Sequence, residues 1–310
     1  MKSKVKIVFV GAGKISEEHI KVFKKINKVE LCGIYSRTKL KSFKLAKKYK
    51  IKNVYNSIDE MYANTKADLV VVSVSIESTK SVCMKISKYS WKCLVEKPFG
   101  YNYKECKELI NKIAKKQFYL ALNRTNYSST IGLLNILKKD KSQRIINISD
   151  QQSTLKFKNK FPKKILENFM YANSIHLVDY VRIFARGKIN SIKTMYDLKK
   201  NKIRIFSKKI NFSSGDVVIF NSIWNKPGPW SVNISTDNFF FEMCPLEQLK
   251  YRNKKDNKII EFNINKDDIR YKPGFMRQAN EMIKAIDRKK FNIPSSDDAY
   301  KTIKLIKKIF

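Results

Sequence analysis

Two short stretches carry residue types that could do chemistry. In VEKPFG, Val95 to Gly100, an apolar run stops on Glu96 and Lys97, an acid and a base that are expensive to take out of water. In GAGKIS, Gly11 to Ser16, another apolar run breaks on two glycines and passes into a helical pattern. The first glycine of such a turn permits the tight bend, and the second lets a diphosphate approach the backbone at the helix N-terminus. Gly11, Gly13, Lys14 and Ile15 are therefore expected to hold the pyrophosphate of a dinucleotide, with Ser16 where the pattern usually has a third Gly or Ala. A carboxylate about 20 residues further on would hold the ribose 2′-hydroxyl of NAD. Here the end of VELCGIY carries Ser36, Arg37 and Thr38 instead. A guanidinium and two hydroxyls suit a 2′-phosphate, which makes NADP(H) the preferred cofactor, with NAD(H) admissible.

The elements that must position these residues follow from the pattern. Up to residue 122, short apolar runs (VKIVFV, VELCGIY, ADLVVVSVS, WKCLVE, QFYLALN) alternate with amphipathic stretches, one of them opened by the Ser57–Glu60 capping box. Strands that are apolar throughout and separated by helices imply a parallel sheet covered on both faces. Residues 1–122 are thus expected to form a doubly wound Rossmann domain. From residue 123 to 310 the rhythm changes to one long helical region, roughly 164–184. Alternating strands follow it in series, and a serine-capped last helix carries Ile303, Ile306 and Phe310 on one face. This predicts an α+β domain with a largely antiparallel, open sheet, whose free side suits a homo-oligomer contact.

Composition narrows the class. A chain of 310 residues with 43% apolar content can bury a full core. The five cysteines are scattered and read as buried thiols of a reducing cytoplasm, and His19 and His176 alone cannot build a zinc site. MKSKVKIVFV reads as a first strand with a basic flank, and no apolar run reaches the length of a membrane span. The net charge of +38 invites a nucleic-acid reading. However, 55 lysines against 10 arginines, spread through every segment without a stripe, describe a solvated lysine coat.

The glycine turn, the Ser36–Arg37 pair, EKP after the fifth strand and an H-x-x-D pair (His176, Asp179) together resemble the Gfo/Idh/MocA oxidoreductase family, over essentially the whole chain. ALNRTNYSST, ISDQQS, MYANSIHLVDY, WNKPGPWSV and EMCPLE are similar to a branch associated with surface-polysaccharide and nucleotide-sugar biosynthesis. The resemblance implies that Lys97 meets the substrate carbinol or ketone and that Glu96 helps to seat the cofactor. It also implies that His176 contacts the same substrate oxygen or its neighbour. A lysine can move the proton that accompanies a hydride if its pKa is drawn down toward neutrality. Ser73 and Ser75 are further cofactor candidates, although SIEST stands where the family usually has a proline and a histidine. Asn123, Arg124, Tyr127, Gln151, Tyr171, Asn173 and Tyr180 are the candidate sugar contacts, Arg124 suiting a phosphate or carboxylate. His19 reads as structural. Many family members carry an acid where this chain has Ala172, which puts the usual proton relay in question. The expectation is a cytoplasmic NADP-dependent enzyme transferring a hydride to or from a sugar or nucleotide-sugar. The alternatives are a catalytically silent nucleotide sensor or scaffold on the same fold and, on charge alone, a nucleic-acid binder.

Overall fold

The structure, a computed structural model, describes residues 4–114 and 116–310; Met1 to Ser3 of the basic flank and Lys115 lie outside the described residues. The chain divides into two compact units: Met1–Asn123 with Arg270–Lys301, and Arg124–Ile269 with Thr302–Phe310. The first changeover falls beside the expected boundary, whereas Arg270–Lys301, expected in the second domain, belongs to the first unit.

In the first unit six parallel strands, β1 (Val5–Val10), β2 (Val29–Tyr35), β3 (Asn53–Val54), β4 (Leu69–Val72), β5 (Lys92–Glu96) and β6 (Phe118–Ala121), lie in the order 3-2-1-4-5-6. They are joined by helices α1 (Lys14–Lys24), α2 (Lys39–Tyr49), α3 (Ile58–Thr65), α4 (Ile76–Ile86) and α5 (Tyr103–Ile113). The strands are apolar on both faces because both are covered. Ile7, Phe9, Leu69, Val71 and Leu94 share one core with α1 and α2, and the alternate residues Val8, Val10, Val70 and Val72 are equally buried.

That core also holds Phe275, Met276, Ala279, Met282 and Ile283 of the helix Phe275–Ile286, which explains why this late segment returns to the first unit. Its apolar spacing is helical, but nothing local tells which core it joins.

Register fixes where the strands end. Val10 pairs with Tyr35 and with Val72, Val72 pairs with Val95, and Glu96 pairs with Ala121. Gly11, Ser36, Ser73 and Lys97 consequently leave the sheet along one edge, Gly11 and Ser73 at the point where strand order reverses between β1 and β4 and the other two on either side of it. In open α/β sheets this is where ligands bind.

The second unit is an eight-stranded sheet with helices. Its strands are β7 (Ile145–Gln152), β8 (Ile189–Lys200), β9 (Ile203–Phe212), β10 (Val217–Trp224), β11 (Trp230–Ser235), β12 (Phe239–Met243), β13 (Lys250–Asn253) and β14 (Ile260–Glu261). They are ordered 14-13-12-11-7-10-9-8, and β7 with β10 is the one parallel pair. The expected long helix is interrupted. After α6 (Ser128–Leu137), a short α7 (Lys163–Glu167) stops at Asn168, a wide π-type turn covers Met170–Ser174, and α8 (Ile175–Phe184) follows. Phe169 is wedged against Phe157 and Phe161, with ring centroids 5.6 and 6.1 Å away, which anchors the interruption. Such turns recur at functional sites. In the last helix, Ser296–Ile309, Ile303 and Ile306 are fully buried and Phe310 stands edge-on to Phe206 at 5.2 Å.

Among the described residues no helix is long and apolar enough to cross a membrane, and no three or more His, Cys, Asp or Glu group so as to hold a metal ion. Four of the five thiols are buried as expected; Cys244 is exposed because it lies just past the end of β12, in a turn.

Candidate functional site

Gly11 and Gly13 are glycines for different reasons. Gly11 has φ +113°, and a Cβ there would stand 2.2 Å from the carbonyl oxygen of Ser73. Its N–H donates to Tyr35 O at 2.8 Å, so the turn is pinned to β2. The fold itself demands glycine at this position. Gly13 has an ordinary φ of −89°, caps α1, and a Cβ on it would meet nothing within 4 Å. No protein atom needs that space. An open cradle at the N-terminus of an 11-residue helix fits the close backbone approach of a diphosphate. Ser16, at the third small position, is fully buried and donates from Oγ to Gly11 O at 2.7 Å, closing the turn.

The rest of the strand-end row is consistent with a dinucleotide. Ser73 is 8% exposed, and its Oγ has no hydrogen-bond partner in the structure. A buried unsatisfied hydroxyl costs about 1–3 kcal/mol, which a bound polar group would recover. Ser75 is exposed and within 2.9 Å of Ser78 Oγ. Ser36 is engaged by the chain, donating to Thr38 O at 3.0 Å and lying 2.7 Å from Ser42 Oγ. Arg37 and Thr38 are exposed at the start of α2, whose first turn has no acid to repel a phosphate. Lys14 is exposed, and Ile15 packs against the core.

At the end of β5 the cost of Glu96 is met by a residue 77 positions away. His19, 1% exposed on α1, places Nε2 2.8 Å from Glu96 Oε1, and its ring lies 4.6 Å from that of Phe275. His19 is structural in the sense that it fixes Glu96, and with it the backbone from which the half-buried Lys97 projects. Only proximity in space shows this.

In the second unit the candidate residues sort by environment. His176 is 2% exposed in the first turn of α8, and Asp179 on the same helix accepts from Thr302 Oγ1 at 2.6 Å and Arg182 at 3.2 Å. That acid ties α8 to the last helix. Tyr180 is a core residue: it is fully buried, its hydroxyl lies 2.8 Å from Thr130 Oγ1 and donates to Arg124 O at 3.1 Å, and burial pushes its pKa up. Tyr127 is buried with its hydroxyl 3.3 Å from Glu247, and Tyr171 is buried in the π-type turn beside Ala172. Arg124 lies 4.7 Å over the Trp230 ring, and its Nε is buried without a partner. Asn123 belongs to the first unit, where its amide donates to Pro273 O at 3.1 Å.

Gln151 and Gln152 point to opposite faces of β7. Gln151 donates to Ser153 Oγ and Lys226 O, each at 2.8 Å, and shapes a loop. Gln152 Oε1 accepts from Asn173 Nδ2 at 2.8 Å, and its amide nitrogen donates to Asp150 Oδ1. Asp150 is fully buried beside the Ser174 and Ser222 hydroxyls, and desolvation pushes its pKa up to about 6. The sequence reading missed both Asp150 and Gln152. The alternation Ile146, Ile148, Asp150, Gln152 along one strand face was the available signal.

This carboxyl should make stability depend on pH. Its folded pKa lies above the unfolded value of about 3.9, so between about pH 4 and 6 the folded state holds the extra proton. Asp150 therefore withdraws about 3 kcal/mol of stability as pH rises through that window. Urea melts of the parent and of Asp150→Asn at about pH 4.5 and 7.5 give the test. The variant should gain on the parent only at the higher pH, and a pH-independent difference would exclude an elevated Asp150.

Residues 5–123 match the model of the GFO_IDH_MocA family, described as an oxidoreductase family with an NAD-binding Rossmann fold. A sequence search of the curated proteins finds no match. Among solved structures the chain is similar to a dehydrogenase from Chromobacterium violaceum, with TM-score 0.83, 14% identity, and 100% of this chain and 95% of that one covered. It is similar to the UDP-N-acetylglucosamine 3-dehydrogenase of Acidithiobacillus ferrooxidans, with TM-score 0.76, 11% identity, and 99% and 96% covered. A levoglucosan dehydrogenase solved with NADH has TM-score 0.82, 11% identity, and 99% and 96% covered. At such identities the likeness is one of fold.

Proposed function

Starting from residues 5–123 as the NAD-binding Rossmann domain of a Gfo/Idh/MocA oxidoreductase, we propose that the protein transfers a hydride between NADP(H) and a hydroxyl or ketone carbon of a sugar or nucleotide-linked sugar. The observation that carries the reading is the strand-end row: an open cradle at Gly13 and an orphaned Ser73 hydroxyl at the switch point of a 3-2-1-4-5-6 sheet, with Lys97 at the end of the next strand, β5. When bound, the nicotinamide supplies or accepts the hydride. Lys97 supplies or takes the proton at the substrate oxygen, and the His19–Glu96 pair fixes the turn from which it acts. Asn173, held by Gln152, and Arg124, stacked on Trp230, are hydrogen-bonding and anion-binding groups suited to a sugar and its acidic substituent. The sugar dehydrogenases among the structural neighbours support this substrate class. Surface glycan biosynthesis is the role we assign, with a homo-oligomer formed through the open sheet.

The test is spectrophotometric, following reduced nicotinamide with a panel of sugars, ketosugars and nucleotide-linked sugars. Binding of NADPH without turnover on any of them would favour the silent sensor, the reading to which Ala172 points. Cofactor choice is tested separately. NADPH should bind several-fold tighter than NADH, and Arg37→Ala should remove most of that preference by deleting a charge-assisted contact to the 2′-phosphate. Equal affinities of the parent protein for the two cofactors, by fluorescence titration, would refute the assignment.

A further inference from the structure

The second unit contains a cavity of about 720 Å³, within the range of small-molecule sites. Its lining is mixed in chemistry. Leu166, Ile203 and the indole of Trp224 supply apolar surface. Trp224 is held in place, with Nε1 donating to Ser222 Oγ at 2.8 Å and its ring edge-on to Phe310 at 6.0 Å. Lys158, Lys199 and Lys202 bring positive charge to the same lining. The acid in the lining, Glu167, lies 3.7 Å from Lys163, and Asp197, which pairs with the lining's Arg204 at 2.8 Å, is also drawn down by the charge of Lys199, so neither acid is paired with Lys158 or Lys202.

Position adds a second argument. Thr154 and Leu155 line the cavity just after Gln152, and Met170 lines it at the start of the turn that carries Asn173. The cavity is therefore bordered in part by the two segments that the Gln152–Asn173 hydrogen bond joins. A ligand with a flat ring and two adjacent anionic groups matches a lining that offers an indole together with the ammonium groups of Lys158 and Lys202, neither of them paired with an acid. Simple sugars have neither.

We propose that this cavity is a nucleoside diphosphate subsite, the base lying on Trp224 and the diphosphate neutralised by Lys158, Lys199 and Lys202. The proposal rests on the sugar-oxidoreductase reading and refines it, because the substrate is then a nucleoside diphosphate sugar whose carrier half is held in the second unit. Ring contact with Trp224 selects a nucleoside, and charge selects the diphosphate.

The test is calorimetric titration of UDP, uridine and inorganic pyrophosphate into protein saturated with NADPH, so that the dinucleotide site of the first unit is filled. UDP should bind, and better than either fragment. Lys158→Glu with Lys202→Glu should weaken UDP by tenfold or more. Lys289→Glu with Lys290→Glu, the same charge change on exposed residues of the first unit, should alter it by less than about twofold. Trp224→Leu should weaken UDP and leave pyrophosphate unchanged. Failure of UDP to bind beside NADPH, or equal losses in both charge-reversed pairs, would overturn the subsite and leave only attraction to a basic surface. If the pattern holds but no sugar substrate exchanges a hydride with NADP(H), the subsite stands and the oxidoreductase reading falls. Turnover of an unmodified sugar with no UDP binding would do the opposite, upholding the oxidoreductase and removing the subsite.

Discussion

Lys97→Met is expected to lower turnover by about 10²- to 10⁴-fold while leaving NADPH affinity within about twofold of the parent. Hydride delivery to a carbonyl carbon leaves negative charge on the oxygen, and that oxygen must gain a proton as the charge develops. Lys97 follows directly on β5, at the edge where Gly11 and Ser73 also leave the sheet. Methionine keeps the length and apolar stem but has no proton to give. Since the lost interaction is made in the transition state, kcat and kcat/KM should fall together. His176→Asn should cost less, because Ala172 offers no carboxylate to make that histidine a relay. Ala172→Asp should then alter the pH profile more than the maximum rate, by adding an ionising group four residues before His176. Single-turnover measurements with the true substrate decide the matter. Full activity of Lys97→Met would mean that the proton comes from another group and that the site is misassigned.

What could be read from the sequence was whatever is local. Apolar runs at strand length separated by helical periods specify a covered parallel sheet, and six strands in the expected class are present. The glycine turn is legible because backbone conformation is set by two or three neighbours. The partner of Glu96 was not, since His19 is remote in sequence and meets it only once α1 packs against the sheet. Helix Phe275–Ile286 shows its amphipathic spacing plainly, yet its choice of the first core over the second depends on joining a cluster with Ile20 and Phe23 that no window contains. Tyr180 illustrates the converse error. A tyrosine four residues past His176 looks available for hydrogen bonding, but one helical turn carries it into the core, where Thr130 and Arg124 occupy its hydroxyl. The break before α8 was hidden for a similar reason, because an aromatic wedge made by Phe157, Phe161 and Phe169 interrupts a segment whose local propensity runs on.

The second large effect separates the two glycines. Gly11→Ala should destabilise the protein by about 3–5 kcal/mol, the sum of strain at φ +113° and a forced displacement of the Ser73 backbone. Cofactor affinity should fall with it, because moving Ser73 disturbs the strand-end row on both sides of the switch point. Such a result alone would not reveal a ligand, since the fold demands that glycine. Gly13→Ala is the informative partner. Its backbone is unstrained and its Cβ would meet no protein atom, so thermal stability should change by no more than the roughly 1 kcal/mol of a helix-cap substitution. A diphosphate seated on the N-terminus of α1 would, however, meet the new methyl group directly, and NADPH affinity should drop by about 10- to 100-fold, as for a lost charge-assisted contact of roughly 1.5–3 kcal/mol. Thermal melts and NADPH titrations of the two variants therefore diverge: both properties fall in Gly11→Ala, and affinity alone falls in Gly13→Ala. An unchanged NADPH affinity in Gly13→Ala would show that the pyrophosphate does not approach this turn, and would remove the central support for a dinucleotide at this sheet edge.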